Sequence, residues 1–537
     1  MHSCRSSNSY VHKNKKCVSI RKPSVKMERA SLKSRKSSSR KGRVQRALSR
    51  MGSSMYELGR NNAAHDTVIN SLLTFGKPVD REAVLKSVKA CFTDNWRFRA
   101  TISRNKKSGE ATWFIQDEDP DFDFHVENIE IPTAEGDFAN QQDINLFVSS
   151  FYGKMLPEDK PLWIVYNITN VRDAGLEGKV NGALLIRLHH NIGDGISLMA
   201  FVNSFFDKEE KARPTLTAQP SMKPKDIWPK VPPALQLLHQ ARVFVQGVFN
   251  GLLMPVLPGD VDTLIKHPEV RKIGHRIIAT SSSVELSLIK DIKNNAGMTI
   301  NDVLVAALSG VIRKYTEAQG SKIVPGQSRA MCLINMRDGK AMRKIMKGKG
   351  ELGNQFNFLP IAMPLDEKDG LERMYQCKLT LDDLKHSPLP VVSFGLNILA
   401  SMVLPAKAYA NTTCDLFNKV TTVFSNVPGP AGPVFVGGNE VLNMSFFANS
   451  LTATVFGLVS YNNKVALSVV ADTSVVPNPQ SLVDEFEGEI MNLYQLTRGK
   501  FRKPELDPKR VVVDAAVVGI AALVLLLVLI LVFKIII

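Results

Sequence analysis

The spacing of apolar residues in residues 61–205 changes repeatedly between a helical period and a strand period. Residues 81–93 carry apolar side chains at helical spacing, and residues 70–75 are also interpreted as helix. Apolar runs with the spacing of strands predict extended structure at residues 98–103, 112–116, 162–168 and 180–188. The last of these strands leads directly into two adjacent histidines.

Helical and strand patterns are also interleaved in the second half of the chain. Residues 300–319 have one apolar stripe at helical spacing, and Thr299 before them is a typical N-cap. Residues 452–460 and 465–471 predict a hairpin that turns at residues 461–464. Helices and strands that alternate in this way indicate an α/β (α+β) fold with mixed sheets.

A proline-rich stretch separates the two halves. Six prolines lie between residues 214 and 233. Residues 234–253 then predict one apolar-rich helix, lying across a domain or on a membrane surface. We therefore divide the body into an N-terminal lobe (61–205), a linker with a crossover helix (206–273) and a C-terminal lobe (274–500). The apolar residues 390–409 are open to three interpretations: tunnel wall, membrane contact or core.

The positive charge of the chain is concentrated in residues 1–60. They contribute +15 of the total formal charge of +17, so the rest of the chain is nearly neutral. A neutral body argues against a nucleic-acid partner. Because a tail rich in Ser, Arg and Lys has too few apolar side chains for a core, we predict that residues 1–60 are disordered. A transit peptide and a polybasic arm beside anionic lipid are both open as functions of this tail.

The C-terminus carries a predicted transmembrane helix at residues 511–533. Residues 515–533 contain no charged side chain, and Lys509 and Arg510 precede them. A helix of this length covers about 28 Å, close to the hydrocarbon thickness of a bilayer. Positive flanks stay in the cytosol, so we expect a tail anchor with a cytosolic body. The endoplasmic reticulum is the expected membrane, with the plastid envelope as the second choice because of the basic N-terminus.

The six cysteines are scattered, without a C-x-x-C pair or a repeated spacing. This distribution indicates neither a zinc site nor a disulfide scaffold and suits a reducing compartment. We therefore expect no bound metal.

Candidate chemistry is concentrated where the strand at residues 180–188 ends, in the sequence His189-His190-Asn191-Ile192-Gly193-Asp194-Gly195. Neutral imidazole removes a proton from a hydroxyl near pH 7, so His190 is the candidate general base. Asp194 either orients the imidazole or turns away and holds the loop by a salt bridge. Gly193 and Gly195 permit a tight backbone and leave room for a bulky thioester.

Three other interpretations apply to this motif. The histidines are core residues in the first. The second is a metal site, because His189, His190 and Asp194 are all ligand types, but no further His or Cys cluster completes it. The third is a Ser-His-Asp hydrolase, which would require a nucleophile elbow, and the sequence contains no G-x-S-x-G. The motif favours base catalysis without a covalent enzyme intermediate.

The chain resembles the bifunctional wax ester synthase/diacylglycerol acyltransferases, within the CoA-dependent acyltransferase superfamily, over about residues 61–497. The resemblance rests on the active-site motif and on four further segments, in the order expected for the family: Pro161-Leu162-Trp163, Asn301-Asp302, Gly353-Asn354 with Pro360, and Ser425-Asn426-Val427-Pro428-Gly429-Pro430. The active-site motif alone is shared with condensation domains of peptide synthetases.

The resemblance implies a two-lobed fold with a tunnel between the lobes and His190 at its midpoint. Acyl-CoA is then the co-substrate, no cofactor is needed, and the acceptor is a long-chain alcohol or diacylglycerol. His190, Asp194 and His189 are the expected catalytic residues.

Gly195, Asn301 and Trp163 are expected to contact substrate or support the motif. Trp163 is also open to a core role, and Asp302 is interpreted as the partner of Thr299 in a capping box. Arg337 is predicted to be the salt-bridge partner of Asp194.

Two other functions are consistent with the sequence. One is a condensation-type acyltransferase that acts on another acceptor, although the chain has no carrier or adenylation module. The other is a non-catalytic, tail-anchored lipid-binding protein. The intact His190 and Asp194 argue against this second alternative. The sequence does not indicate an oligomeric state.

Overall fold

A computed structural model describes residues 44–92, 95–175, 178–202, 204–207, 233–256, 258–323, 328–346, 351–499 and 519. The strands in this part of the chain are β1 (Gln45–Ala47), β2 (Val68–Phe75), β3 (Ala100–Arg104), β4 (Ala111–Ile115), β5 (Val126–Ile129), β6 (Trp163–Ile168), β7 (Gly182–His189), β8 (Arg276–Thr280), β9 (Val284–Glu285), β10 (Arg329–Asn335), β11 (Phe356–Ala362), β12 (Thr422–Pro428), β13 (Phe435–Val436), β14 (Asn439–Ala448), β15 (Thr454–Tyr461) and β16 (Lys464–Asp472).

The α-helices of the same residues are α1 (Arg50–Asn61), α2 (Arg81–Phe92), α3 (Phe122–His125), α4 (Gln141–Ser149), α5 (Gly195–Val202), α6 (Pro233–Leu253), α7 (Leu286–Ala296), α8 (Ile300–Ala318), α9 (Gly339–Met346), α10 (Gly370–His386), α11 (Leu389–Val403), α12 (Ala406–Phe417), α13 (Gln480–Val483) and α14 (Glu485–Thr497). Short 3₁₀ helices cover Ala63–His65, Trp96–Arg99 and Val270–Lys272.

Two large mixed sheets form the body, as the interleaved sequence pattern predicted. The first sheet has the strand order β13-β14-β2-β7-β6-β5, in which only the β5–β6 pair is parallel. The second has the order β11-β10-β12-β15-β16-β8, with β9 also paired to β16. Its inner pairs β10–β12 and β12–β15 are parallel, and its other pairs are antiparallel. The predicted α/β (α+β) class is confirmed.

The first sheet combines strands from both predicted lobes, whereas the described strands of the second sheet all come from the predicted C-terminal lobe. β13 and β14 belong to the predicted C-terminal lobe, but β14 pairs with β2 in the first sheet. The ten-residue strand β14 buries Val441, Met444 and Phe447, and two of these pack with side chains of β2 and β7 in one core. Local periodicity does not reveal which sheet a strand joins, because strand pairing is a long-range property.

The predicted disordered tail ends earlier than residue 60. β1 pairs with β4, and α1 buries Met55, Tyr56 and Leu58 against the body. Ser49 caps α1 by accepting a hydrogen bond from the backbone N–H of Gly52. The prediction failed because small Ser and Gly side chains allow α1 to pack closely, although they add little to an apolar pattern. Residues 1–43 lie outside the described part of the chain.

Residues 70–75 form most of β2, so the helix predicted for them is wrong. β2 lies between β14 and β7 and is buried along almost its whole length. A short apolar run fits a helix or a buried strand equally well, and pairing on both edges selects the strand. The hairpin of β15 and β16 and the N-cap of α8 at Thr299 are confirmed.

The crossover helix α6 is present and packs closely on α11. A Cβ atom at Gly247 would lie 2.8 Å from Cδ of Pro388, and one at Gly251 would lie 2.8 Å from Cγ1 of Val392. Glycine at these two positions therefore permits the close approach of the helices. Residues 208–232, the proline-rich part of the linker, lie outside the described residues.

The predicted transmembrane helix at residues 511–533 lies outside the described residues, apart from Gly519. Among the helices that the structure describes, none alone has the length and apolar character needed to cross a bilayer. Two bent pairs meet that criterion by length and composition: α7 with α8, at 105°, and α10 with α11, at 59°.

Candidate active site

The histidine motif lies in a tight connection between β7 and α5, in the first sheet. β7 ends at His189, whose backbone N–H donates to the carbonyl oxygen of Leu162 (3.0 Å). The backbone N–H of His190 donates to the carbonyl oxygen of Thr67 (2.9 Å). The Pro-Leu-Trp segment therefore supports the motif through a backbone contact rather than through a side chain.

His190 is oriented by Asn354, a residue that belongs to one of the predicted motifs but had no predicted role. Nδ1 of His190 lies 3.0 Å from Oδ1 of Asn354, and Nδ2 of Asn354 donates to the backbone oxygen of His190 (2.9 Å). The second bond identifies the amide oxygen as the atom facing the imidazole. Because this oxygen only accepts, Nδ1 carries the proton and Nε2 has a free lone pair. The ring edge of Phe356 also packs against the imidazole, at 5.4 Å between centroids.

The pKa of His190 is lowered below its ordinary value of 6.5, chiefly because burial disfavours the imidazolium. The negative charge of Asp194 and the hydrogen bond that Nδ1–H donates to Asn354 oppose this effect, and neighbouring His189 adds to it. His190 is therefore neutral at physiological pH and able to accept a proton.

Asp194 holds the loop rather than the imidazole. Its Oδ2 atom lies 2.7 Å from Nη1 of Arg337, and both side chains are at most 5% exposed. Oδ1 accepts from the backbone N–H of Ser197 and so caps α5, and Oδ2 also accepts from that of Gln355. The predicted Asp194–Arg337 salt bridge is confirmed. Of the two roles considered for Asp194, the structure favours loop support.

The carbonyl oxygen of Gly353 connects the histidine loop to the segment just before β11, which carries Asn354. It accepts hydrogen bonds from the backbone N–H of Asp194 (3.2 Å), from Nη2 of Arg337 (2.8 Å) and from Oγ of Ser197 (3.2 Å). Three donors on one carbonyl hold the neighbouring Asn354 in register with His190.

His189 is fully buried and turned away from the substrate cavity. Its Nδ1 atom accepts from the backbone N–H of Asn191 (3.1 Å), so the proton is on Nε2. Nε2 lies 3.3 Å from Oδ1 of Asp66 and 3.5 Å from Oγ1 of Thr67. This geometry gives His189 a positioning role in the loop, since its two ring nitrogens already have partners.

The glycines of the motif allow close contacts. A Cβ atom at Gly193 would lie 2.8 Å from Oγ of Ser197, and one at Gly195 would lie 3.2 Å from Cγ2 of Val427. Gly195 also lines the cavity beside His190, as expected of a residue that leaves room for substrate.

Trp163 and Asn301 lie away from His190. Trp163 is fully buried, stacks on His125 at 4.2 Å and donates from Nε1 to a backbone oxygen, which makes it a core residue. Asn301 accepts from Nδ2 of Asn426 at 2.8 Å, on the surface. Asp302 forms the predicted capping box with Thr299. The Asn-Asp and Asn-Val-Pro-Gly-Pro segments thus contact each other.

A cavity of about 770 Å³ lies in front of His190, and residues of both sheets line it. Apolar side chains predominate in its wall: Ile69, Leu73, Ile186, Leu188, Met444 and Val459. Such a cavity is large enough for a drug-sized apolar ligand. The tunnel between lobes that the resemblance implied stays a prediction.

A second cavity, of about 550 Å³, includes Asn354 of the active site in its lining. Asn354, Asn191, Arg46 and Arg97 line it. The Asn191 amide has no hydrogen-bond partner, although the residue is 1% exposed. In the described part of the chain, no group of three or more His, Cys, Asp or Glu side chains has the geometry of a metal site.

Comparison with known proteins identifies the family. Residues 48–259 match the wax ester synthase/diacylglycerol acyltransferase catalytic domain, and residues 352–494 match the WS/DGAT C-terminal domain. Wax ester synthase/diacylglycerol acyltransferase 3 of Arabidopsis thaliana is 27% identical over 448 residues, covering 77% of this chain and 87% of the relative. Number 11 of the same plant series is 26% identical over 458 residues, covering 77% and 89%.

The fold is also that of solved proteins. Wax ester synthase/diacylglycerol acyltransferase from Marinobacter aquaeolei VT8 superposes with a TM-score of 0.53 at 19% identity, over 84% of this chain and 100% of that one. The starter condensation domain of rhizomide synthetase RzmA, in complex with C8-CoA and Leu-SNAC, has a TM-score of 0.51 at 12% identity, over 86% and 96%. The chain belongs to the wax ester synthase/diacylglycerol acyltransferase family, as its motifs predicted.

Proposed function

We propose that the protein is an acyl-CoA-dependent O-acyltransferase that esterifies long-chain alcohols, diacylglycerol or both. The observation that carries this proposal is the free lone pair on Nε2 of His190, beside a largely apolar cavity. The names of the relatives support the same substrates, since they describe wax ester synthases and diacylglycerol acyltransferases.

In the proposed reaction, the acceptor hydroxyl donates its proton to Nε2 of His190 as its oxygen attacks the thioester carbonyl carbon. The imidazolium that forms keeps its Nδ1–H bond to Asn354 and is stabilised by the negative charge of Asp194. It then returns the proton to the leaving sulfur as the C–S bond breaks, which gives the ester and free CoA. General-base catalysis of this kind contributes a factor of about 10²–10⁴.

The charge and polarity of the two cavities suit the two ends of an acyl-CoA. The larger cavity has mainly aliphatic walls, as a long acyl chain or alcohol requires. The charged residues that line the smaller one are Arg46, Arg97 and Glu351, so its net charge is positive, which suits the anionic CoA portion of the donor.

We also infer that the protein works at the endoplasmic reticulum membrane, with its catalytic body in the cytosol. The uncharged residues 515–533 are long enough for a span, and the basic Lys509 and Arg510 precede them. The basic N-terminus makes the plastid envelope the second choice. Fractionation of cells that express the full chain, compared with a chain truncated after residue 510, tests the anchor: loss of membrane recovery on truncation supports it.

The test of function is ester formation by membranes that contain the full chain. They receive radiolabelled palmitoyl-CoA with either hexadecanol or diacylglycerol, alongside membranes with equal amounts of the His190→Ala variant. We expect ester from the wild type and none above background from the variant, and the better acceptor defines the main activity. No ester with either acceptor, from folded and membrane-inserted wild-type protein, contradicts the proposal.

A further inference from the structure

Helix α11 presents its apolar side to the outside of the protein. Its exposed large side chains are Val391, Ile398, Leu399, Met402 and Val403, at 71%, 40%, 56%, 68% and 69% exposure. Their spacing places them on one helical face. None of the fifteen residues of α11 carries a charge, so this face offers water no favourable contact.

Two of the three polar side chains of α11 form hydrogen bonds with other parts of the protein, and the third, Ser401, bonds to the backbone of its own helix. Ser393 accepts a hydrogen bond from Nδ2 of Asn357 (2.7 Å), and Asn397 accepts one from the hydroxyl of Tyr409. A surface helix of a soluble protein has the opposite arrangement, with polar residues outside. Internal hydrogen bonds therefore hold α11 in an orientation that keeps its apolar face outward.

Neighbouring residues extend the exposed apolar face. Phe244 and Leu252 of α6 are 59% and 49% exposed, and Val256 just after α6 is 73% exposed. Since α6 packs directly on α11 through Gly247 and Gly251, these side chains form one surface, which we call the α6–α11 face. Contiguous exposed apolar surface of this kind marks a contact site for protein or membrane.

The α6–α11 face continues into the substrate cavity. Leu252, Leu399 and Val403 are exposed on the outside and also line the 770 Å³ cavity that contains His190. These three residues lie at the C-terminal ends of the two helices, so an apolar molecule that enters there stays in contact with apolar side chains along this part of its route. This continuity suits an acceptor delivered from lipid rather than from water.

Positive charge lies beside the same face. Lys407 is exposed near the C-terminal end of α11, and Nζ of Lys419 donates to the backbone oxygen of Pro255 (2.7 Å), next to the exposed Val256. Lysine at the edge of an apolar surface is suited to lipid phosphates, as in helices that lie in the membrane interface. A protein partner would not require this combination of a basic edge and an open apolar cavity.

We propose that the α6–α11 face lies against a lipid bilayer and that the acceptor passes from the bilayer, past the C-terminal ends of α6 and α11, to His190. The docking surface stands on its own geometry, whereas the passage of the acceptor rests on the proposed function. Docking through this face is separate from any anchorage by residues 511–533.

The kinetic test uses a double variant, Val391→Glu with Met402→Glu, in the full chain. Both side chains are exposed and neither lines the cavity. The enzyme is reconstituted in phosphatidylcholine vesicles with a fraction of phosphatidylserine and assayed with hexadecanol dissolved in the bilayer. Because two glutamates oppose insertion into the lipid interface, we expect kcat/KM for this acceptor to fall by about tenfold or more. With water-soluble hexanol and octanoyl-CoA, we expect no change.

A matched control adds the same two charges elsewhere, as Leu146→Glu with Met491→Glu. These side chains are 53% and 38% exposed and lie outside the α6–α11 face. The control is expected to match the wild type with both acceptors. Unchanged hexadecanol kinetics in the Val391→Glu, Met402→Glu variant overturn the proposal. An equal loss with both acceptors, or a changed oligomeric state in detergent, also overturns it, because the face then supports the fold or binds a second copy.

A second measurement does not depend on activity. An environment-sensitive dye is attached at Met402→Cys, with Cys4 and Cys17 replaced by Ser, and the vesicles contain brominated lipid. Docking predicts a blue-shifted emission that the bromine quenches, and the same dye at Leu146→Cys is expected to show neither effect. Quenching in a protein that forms no ester would support docking and contradict only the proposed function, whereas an unshifted and unquenched dye at Met402→Cys overturns docking.

Discussion

Replacement of Asn354 by Leu should weaken His190 as a general base without leaving a cavity beside the imidazole. Leucine has the same number and branching of side-chain heavy atoms as asparagine, but it neither accepts from Nδ1–H of His190 nor donates to its backbone oxygen. The wild-type bonds are 3.0 and 2.9 Å long and lie in a part of the chain that is largely shielded from water. Without the acceptor, the imidazole shifts toward the tautomer with the proton on Nε2, which has no lone pair there for the substrate hydroxyl.

The size of the effect follows from these two bonds. A buried donor left without a partner costs about 1–3 kcal/mol. At about 1.36 kcal/mol for each factor of ten, kcat should fall by about 5- to 150-fold. KM for the acceptor should remain nearly unchanged, because Asn354 does not line the larger cavity.

Ester formation from palmitoyl-CoA and hexadecanol gives kcat and KM for the variants. Asn170→Leu is the matched control, since Asn170 also accepts from and donates to one backbone residue, Ile131, at 3.0 and 2.9 Å. Asn354→Asp retains an acceptor for Nδ1–H and should recover most of the lost rate. An Asn354→Leu enzyme with wild-type kcat, or one that falls no further than Asn170→Leu, would refute the assignment of Asn354.

Three further predictions follow from the same region. Arg337→Met leaves the carboxylate of Asp194 buried and unpaired. The free energy of unfolding, measured by thermal unfolding, should therefore fall by about 3–5 kcal/mol. An unchanged melting temperature would exclude the ion pair. Burial holds the pKa of His190 below 6.5, so kcat/KM should be flat through neutral pH and fall as acid protonates the base below 6.5; a fall that begins above 7 contradicts this sign. Gly429→Ala brings a Cβ atom to 2.5 Å from a backbone oxygen of β15 and should destabilise the protein by about 1–3 kcal/mol. In the control Gly432→Ala, the new Cβ atom meets no other atom within 4 Å, so the melting temperature should equal that of the wild type.

Site residues could be predicted from the sequence where they belong to one continuous segment. The strand that ends at the histidines and the following helix place His190 and Asp194 without reference to distant residues. Arg337 was predicted only as a charge partner for Asp194, and its position 2.7 Å away is confirmed. By contrast, Asn354 is 164 residues from His190. Its motif was visible, but the bond to Nδ1 depends on how β11 approaches the loop.

The fold class was predictable from the sequence, but the pairing of distant strands was not. Alternating patterns gave the hairpin of β15 and β16, whereas the entry of β14 into the first sheet depends on pairing with β2, more than 350 residues away. The helix α1 was missed because its packing relies on small side chains rather than on an apolar stripe. A pattern measures local amphipathicity, and these features arise from contacts between distant segments.

The most direct test of His190 as a base without a covalent intermediate is a single-turnover experiment that follows CoA and ester in the same sample. Enzyme in excess over palmitoyl-CoA is mixed with or without hexadecanol, as wild type and as His190→Gln. We predict that CoA is released only with hexadecanol, in step with ester, and that His190→Gln slows both by a factor of about 10²–10⁴. Release of CoA stoichiometric with the donor before hexadecanol is added, or an unimpaired His190→Gln enzyme, would contradict it.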